Sequence, residues 1–220
     1  MRRIKVVAHA GSMGTPDDSL ESVQKGIELQ ADIVEIDIRF DDAGIPVLSH
    51  DKLKAGNKYE TVYDALALLN NAEGIQLNAD MKEKDSLEGL MALKEIFEKF
   101  DFRERMYFSG IDKCNGNLLQ KIFPGYEFFT NWNFNIFKLN NENYIRSIVH
   151  EAKSKNYSGL NLNYRFVTKK TADICRENDM KLYTWTVNKE ADMTKLADWG
   201  VDAITTRNPP LLKEILGRKN

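Results

Sequence analysis

Three short segments near the start of the chain carry residues that could do chemistry: HAG (9–11), EID (35–37) and HD (50–51). They contain two of the three histidines and a pair of closely spaced carboxylates. Glu35 and Asp37 are two residues apart in ADIVEIDIRF, so in an extended strand both side chains project to the same face. Two carboxylates held this close are unfavourable unless a cation or a proton lies between them. Histidine is the side chain suited to exchanging protons with a substrate near neutral pH, and His9 and His50 flank these carboxylates in the sequence. The pattern predicts an acid/base pair beside a metal ion.

Each of these segments also has an ordinary interpretation. An EID strand can form a solvated sheet edge, and a single histidine is commonly a structural polar residue. Their coincidence favours a functional site only if the fold brings the segments together.

Composition predicts one globular domain over residues 1–220. The chain is 42% hydrophobic and 29% charged, which is ordinary for a folded domain with a substantial core. The formal net charge of −2 argues against nucleic acid as a partner, because phosphate backbones require a basic surface. The apolar run at residues 4–8 is too short for a secretory segment, and no run approaches a membrane span. We therefore expect a soluble cytoplasmic protein without stable membrane insertion.

The two cysteines, Cys114 and Cys175, are far apart and lack CxxC spacing. This usage favours two reduced thiols over a disulfide or a zinc site.

Short apolar runs alternate with longer amphipathic stretches along the chain. Strands are predicted at residues 4–8, 33–37, 75–80, 106–109, 126–130, 159–162, 181–186 and 202–205. Stretches with helical periodicity include residues 19–30, 87–100, 144–155, 171–181 and 190–200. Eight such alternations predict an α/β fold of the (β/α)8 TIM-barrel class. An open doubly wound sheet is the main rival, but GSMGTP after the first strand lacks GxGxxG spacing.

One segment departs from the simple alternation. Residues 39–49, RFDDAGIPVLS, predict a small β-hairpin after the second strand, with an Asp-Ala-Gly turn that returns His50 toward the carboxylates. Asp18 or Ser19 is predicted to cap the first helix, and Pro209-Pro210 to begin the last. Because catalytic groups of such barrels sit at the carboxyl ends of strands, these segments should meet on one rim.

The chain resembles the glycerophosphodiester phosphodiesterase family, which also includes barrels similar to phosphatidylinositol phospholipase C. That family has an HRG segment, a PENT-like helix start, an ExD strand, a PVxxHD hairpin, an NxExK strand, a WTVN strand and a closing GVDGIxTDxP. The corresponding segments here are HAG (9–11), PDDS (16–19), EID (35–37), PVLSHD (46–51), NADMK (78–82), WTVN (185–188) and GVDAITTRNP (200–209). The matches occur in the same order and span nearly the whole chain.

The resemblance implies metal-dependent hydrolysis of a small glycerophosphodiester. It assigns metal binding to Glu35, Asp37 and Asp80, and acid/base catalysis to His9 and His50. Lys82 would bind the substrate by neutralising its phosphate. From the residue types, Trp185 either lines the alcohol pocket or belongs to the core, and Asp51 either orients His50, reaches the metal through water, or caps the following turn. Oxygen ligands suit Mg²⁺ or Ca²⁺ better than zinc. The resemblance leaves the released alcohol and the oligomeric state open.

Two departures from the family pattern concern the phosphate and the metal. Ala10 replaces the arginine of HRG, so Lys82, Lys52 or Arg165 is needed to compensate in phosphate binding. Asp80 replaces a longer glutamate and should hold the ion less closely.

A third departure concerns the cover of the site. Only KLKAGNKY (52–59) follows the HD pair, where the family usually inserts a small subdomain. The rim should therefore be open, unless TNWNFNIF (130–137) or a partner chain covers it.

Two alternative functions follow from these departures. A degenerate barrel would bind a phosphorylated ligand without turnover, and a phospholipase D-like lyase would act on lysophospholipids. The retained histidines and carboxylates argue against the first. The lack of a basic amphipathic helix argues against the second.

Overall fold

Parallel strands and helices alternate along the chain, as the spacing of apolar residues predicts. The computed structural model describes residues 3–83, 85–112, 116–132 and 134–218. Its strands are β1 (Lys5–Ala8), β2 (Ile33–Phe40), β3 (Pro46–Leu48), β4 (Gln76–Met81), β5 (Met106–Ile111), β6 (Glu127–Thr130), β7 (Gly159–Asn163), β8 (Lys181–Trp185) and β9 (Ala203–Thr206). Its α-helices are α1 (Leu20–Glu28), α2 (Val62–Asn70), α3 (Leu87–Lys99), α4 (Gly116–Ile122), α5 (Glu142–Ser154), α6 (Lys169–Glu177), α7 (Glu190–Trp199) and α8 (Pro209–Gly217).

Eight of these strands form a closed parallel barrel. β1 pairs with β2 on one side and with β9 on the other, and the ring runs through β4, β5, β6, β7 and β8. The predicted (β/α)8 fold is confirmed. Within the described residues, no helix has the length and apolar character needed to cross a membrane.

The ninth strand belongs to the predicted hairpin. β3 pairs antiparallel with the last residues of β2, with Ile38 opposite Leu48 and Phe40 opposite Pro46. The outgoing arm is an extension of β2 rather than a separate strand, because β2 continues without a break to Phe40. The hairpin therefore extends directly from a barrel strand and carries the segment of His50 back to the rim.

Helix caps fix where the connecting loops enter the helices. The Ser19 side chain caps α1 by accepting from Ser22 N, so of the two predicted candidates Ser19 is the cap. Asp18, the other candidate, instead accepts a hydrogen bond from His50 N at 2.7 Å. Pro209 begins α8, as predicted, with Asn208 as its cap.

The barrel interior is filled by an aromatic cluster. Tyr107, Phe129 and Tyr183 come from β5, β6 and β8, and their ring centroids are 4.3–5.2 Å apart. Val7 and Ile33 belong to the same buried cluster. Because residues two apart on a strand share a face, Glu35 and Asp37 lie above Ile33 on the inner face. The cluster forms an apolar floor beneath the carboxylates.

A second and larger apolar core lies between the barrel and the helices. Phe97 of α3 packs edge-on against Phe108 of β5 and Phe123. Cys175 is buried on α6 as a free thiol. Cys114 lies outside the described residues.

Candidate active site

The register of two neighbouring strands brings the carboxylates together. In the parallel pair β2 and β4, Glu35 lies opposite Asn78 and Asp37 lies opposite Asp80. Glu35, Asp37 and Asp80 each offer an oxygen, and these oxygens lie within 4.8 Å of one another. The three residues are 7%, 2% and 7% exposed. The backbone pairing, rather than a loop, thus sets the spacing of the cluster.

The shorter Asp80 side chain still reaches the cluster. Gly110 on β5 has φ of +73°, and a Cβ there would lie 2.1 Å from Asp80 Oδ1. A side chain at residue 110 would therefore displace the carboxylate, and only glycine leaves this space at such a φ.

Burial and mutual repulsion perturb two of the carboxyl groups. Burial, with the charge of Asp80 added, raises the pKa of Glu35 to about 8. Burial and the charges of Glu35 and Asp80 raise the pKa of Asp37 to about 8. Within the described residues, Glu35 Oε2 and Asp80 Oδ1 are buried without a hydrogen-bond partner. Three buried carboxylates this close carry negative charge that is only partly compensated, and a cation bound between them would offset it.

Lys82 supplies part of the compensating charge. Its Nζ lies 3.0 Å from Asp37 Oδ1 and 2.7 Å from Asp80 Oδ2. Burial alone lowers the pKa of Lys82, but the two carboxylates outweigh it and the net pKa is raised. The resemblance implies that Lys82 neutralises a phosphate, and in the structure its ammonium also contacts the two carboxylates.

His9 follows β1 and faces the cluster. Its Nε2 lies 3.9 Å from Glu35 Oε2, while Nδ1 lies 2.5 Å from the carbonyl oxygen of Ala10. A carbonyl oxygen only accepts, so this contact places a proton on Nδ1. In the neutral imidazole, Nε2 then carries the lone pair, on the side of the carboxylates.

His50 lies at the outer edge of the same cleft. Its Nδ1 is 3.0 Å from Asp51 Oδ1, and its carbonyl oxygen accepts from Arg39 Nε and Nη2 at 3.2 and 3.1 Å. The His50 side chain is 62% exposed and that of Asp51 is 91% exposed. Asp51 can therefore orient the imidazole by accepting from Nδ1, and this leaves Nε2 available.

Trp185 ends β8 at the rim. Its indole Nε1 donates to the Asn161 carbonyl oxygen at 3.1 Å, which ties β8 to β7 and holds the ring at the cleft wall. Trp185 and Asn161 both line the cleft.

One cleft of about 500 Å³ brings all the predicted site residues together. His9, Glu35, Asp37, His50, Asp51, Asp80, Lys82 and Trp185 all contribute to its walls. Arg207 and Asp17 also line it, and neither is among the site residues predicted from the sequence. Within the described residues, neither Lys52 nor Arg165 reaches the cleft. The departure from Asp to Arg within GVDAITTRNP is the sequence signal that could have found Arg207.

The rim above the cleft is formed by two loops of different character. Residues 52–59 form an irregular and largely exposed connection to α2. In the segment 130–137, Asn131 lines the cleft and Phe134 is buried against Tyr144. Phe137 is 91% exposed, so this part of the segment points away from the protein. Residue 133 of the segment lies outside the described residues.

The protein is a parallel (β/α)8 barrel with acidic and histidine side chains at the carboxyl ends of its strands. This is the class of barrel in which enzymes carry their active sites at that rim. A family model described as the "Glycerophosphoryl diester phosphodiesterase family" matches residues 134–211. A glycerophosphodiester phosphodiesterase from Caldanaerobacter subterraneus is 23% identical, over 94% of this chain and 95% of that protein. One from Bacillus subtilis is 24% identical, over 97% and 86% of the two chains.

Solved structures share the fold over nearly the full length. A putative glycerophosphoryl diester phosphodiesterase from Silicibacter pomeroyi has a TM-score of 0.84 at 16% identity, covering 99% of this chain and 94% of that one. An Oleispira antarctica phosphodiesterase, solved with the product sn-glycerol-3-phosphate, has a TM-score of 0.78 at 19% identity, covering 97% and 96%. The resemblance predicted from the motifs is confirmed: the matching family model and the named relatives belong to the glycerophosphodiester phosphodiesterases, and the chain shares the barrel fold of solved members.

Proposed function

We propose that the protein is a divalent-metal-dependent phosphodiesterase that hydrolyses glycerophosphodiesters to an alcohol and glycerol phosphate. The observation that carries the proposal is the convergence of three buried carboxylates within 4.8 Å, with His9 Nε2 at 3.9 Å from one of them. The names of the curated relatives support the substrate class. The product bound by the Oleispira antarctica phosphodiesterase supports it as well.

The residues of the cluster fit a hard divalent cation. All three ligands are carboxylate oxygens, which favour Mg²⁺ or Ca²⁺ over zinc. Glu35, Asp37 and Asp80 would hold the cation, and each has a buried carboxylate oxygen without a hydrogen-bond partner among the described residues. When bound, the cation supplies Lewis-acid polarisation of the phosphoryl oxygens and offsets the charge of the three carboxylates.

Lys82 acts through the cluster in this proposal. Its ammonium lies 3.0 Å from Asp37 and 2.7 Å from Asp80 and holds both carboxylates in place. Its positive charge also lowers the electrostatic cost of bringing an anionic phosphodiester to an acidic cleft.

The two histidines divide the proton transfers. In the reaction that the resemblance implies, the neighbouring hydroxyl of the glycerol group attacks phosphorus while one imidazole takes its proton. The other imidazole protonates the departing alcohol, and water then opens the cyclic phosphate to glycerol phosphate. The fixed tautomer of His9 and the Asp51 contact of His50 leave an Nε2 atom for each transfer.

Trp185 would contact the alcohol portion of the substrate. Its ring forms part of the cleft wall, and the bond from its Nε1 to Asn161 fixes the ring orientation. An aromatic wall suits an apolar or quaternary ammonium group on the leaving alcohol.

The direct test is release of glycerol phosphate from glycerophosphocholine, glycerophosphoethanolamine and glycerophosphoglycerol, with lysophosphatidylcholine as a comparison substrate. Wild type and His50→Ala are assayed with EDTA and with Mg²⁺, Mn²⁺ or Ca²⁺ added back. We expect turnover that requires a divalent ion and falls strongly in the variant. Absence of glycerol phosphate with every substrate and ion would overturn the proposal. A cyclic product from lysophosphatidylcholine alone would indicate the lyase alternative.

A further inference from the structure

Arg207 lies beside His9 although the two residues are far apart in the sequence. β9 pairs with β1 so that Thr206 is opposite Ala8, and His9 N donates to the Thr206 carbonyl oxygen at 3.0 Å. The residues that follow these two strands, His9 and Arg207, therefore emerge next to each other at the carboxyl rim. Both line the cleft of the carboxylate cluster.

An ion pair fixes the Arg207 guanidinium. Nη1 and Nη2 donate to the two oxygens of Asp17 at 2.6 and 3.1 Å. A Cβ built on Gly11 would lie 1.8 Å from Asp17 Oδ1 and 2.6 Å from Arg207 Nη1, so the pair lies directly over the Gly11 backbone. The guanidinium is thus held above the HAG segment.

The ion pair leaves most of the guanidinium available. A guanidinium has five N–H donors, and Asp17 accepts from two of them. Within the described part of the chain, the other three N–H groups have no protein acceptor. They include Nε–H, which forms with the neighbouring Nη2–H a fork that suits two phosphate oxygens.

An anionic substrate needs an accessible positive charge in this acidic cleft. Among the described residues, six acidic side chains line the cleft, and its cationic side chains besides the histidines are Lys82 and Arg207. The ammonium of Lys82 contacts both Asp37 and Asp80, and this side chain is 19% exposed. The Arg207 side chain is 41% exposed. Of these two described cations, Arg207 is therefore the one that an incoming anion can reach.

Relative to the family pattern, the sequence loses a positive charge at the end of β1 and gains one at the end of β9. In the HRG segment the family has an arginine where this chain has Ala10. In the closing GVDGIxTDxP segment it has an aspartate where this chain has Arg207. Since β1 and β9 are paired, the cation missing from one strand end is present on its neighbour.

We propose that Arg207, held in place by Asp17, is the phosphate-binding arginine of this protein. It takes over the role of the arginine that the family has at the position of Ala10. This inference rests on the proposed function, because it names a substrate contact of the same site. The bound group is the phosphoryl group shared by a glycerophosphodiester and its glycerol phosphate product.

The test measures affinity rather than turnover. Binding of sn-glycerol 3-phosphate is titrated calorimetrically in buffer containing Mg²⁺ for wild type, Arg207→Met and Arg207→Lys. The double variant Ala10→Arg/Arg207→Met tests whether an arginine from β1 restores binding. Arg146→Met is the matched control, because Arg146 also forms exposed ion pairs, with Glu142 and Glu177 on the outer helices. Melting temperatures verify that each variant is folded.

We expect Arg207→Met to weaken binding by about tenfold to a hundredfold, the loss typical of a charged hydrogen bond. Arg207→Lys should retain part of the affinity, and the double variant should recover much of it. Wild-type affinity in folded Arg207→Met would overturn the inference, and it would do so even if the wild type hydrolyses glycerophosphodiesters.

Failure of the proposed function gives a different result. If the wild type binds glycerol phosphate through Arg207 but hydrolyses no diester, the inference holds and the hydrolase proposal fails. If the wild type binds no glycerol phosphate and hydrolyses no diester, both are overturned.

Discussion

Asp37 and Asp80 are direct partners across the parallel strand pair β2 and β4, and their carboxylates contact the same lysine ammonium. The distance between them is therefore set by the spacing of neighbouring strands, which varies little in a barrel. A site built on strands holds its ligands more rigidly than one built on loops. The chemistry proposed here depends on this relationship.

Loss of one of these carboxylates should remove metal-dependent stabilisation. For the wild type, a divalent ion at a hundredfold excess over its Kd should raise stability by about 2.7 kcal/mol, or roughly 5 to 10 °C in Tm. Asp37→Asn should show little or no such rise. Its Tm without metal should match or exceed that of the wild type, because a buried carboxylate pair is relieved. Asp51→Asn is the control: it removes an exposed carboxylate and should keep the full metal-dependent rise in Tm. A full rise in Asp37→Asn would contradict the metal site.

Stability without metal should fall as pH rises from about 5 to 8. The pKa values of Glu35 and Asp37 are about 8 in the folded protein, whereas exposed carboxyl groups titrate near 4. In this window the folded state binds more protons than the unfolded state, so raising the pH favours unfolding. Urea unfolding in EDTA at several pH values measures the slope. The double variant Glu35→Gln/Asp37→Asn should flatten it, and an equally steep fall in that variant would assign the effect to other groups.

The two histidines should respond differently to the leaving group. His9→Ala and His50→Ala should each lose about 10²- to 10⁴-fold in kcat on glycerophosphocholine, the usual contribution of general acid/base catalysis. A p-nitrophenyl diester of glycerol phosphate has a leaving group that departs without a proton. The variant that lacks the general acid should recover turnover on this substrate, and the other should not. Equal recovery in both variants would rule out the division of roles.

Alanine at Gly11 and at Gly14 should have separable effects. Both residues have a positive φ, +77° and +82°, so either substitution should cost about 1 to 2 kcal/mol of stability. Only a Cβ on Gly11 collides with the Asp17–Arg207 pair, since one on Gly14 meets nothing within 4 Å. Gly11→Ala should therefore lose affinity for sn-glycerol 3-phosphate, and Gly14→Ala should keep it. Similar affinities in the two variants would argue against the position assigned to Arg207.

The local pattern of the sequence predicts most of the fold. All eight barrel strands are found within one to three residues of the predicted bounds, because apolar runs of strand length are separated by amphipathic helices. The two-residue spacing of Glu35 and Asp37 predicts that both side chains lie on the same face of β2, since alternation along a strand is a local property.

Contacts made by closure of the barrel are harder to predict. Arg207 adjoins His9 only because the last strand pairs with the first, and the position of a residue in the sequence does not reveal such proximity. Likewise, the bond from His50 N to Asp18 joins two loops, whereas the residue type alone suggests a helix cap. Lys82 lies in the cleft where the resemblance predicts a site residue, but its pairing with two carboxylates depends on side-chain geometry that the sequence does not reveal.

The most direct test of the central claim is a ³¹P NMR time course of glycerophosphocholine with the purified protein, in Mg²⁺ and in EDTA. We expect the diester resonance to be replaced by that of glycerol phosphate in Mg²⁺ and to persist in EDTA. A diester resonance that persists with Mg²⁺, Mn²⁺ and Ca²⁺ alike, or that decays equally fast in EDTA, would contradict the proposed metal-dependent phosphodiesterase.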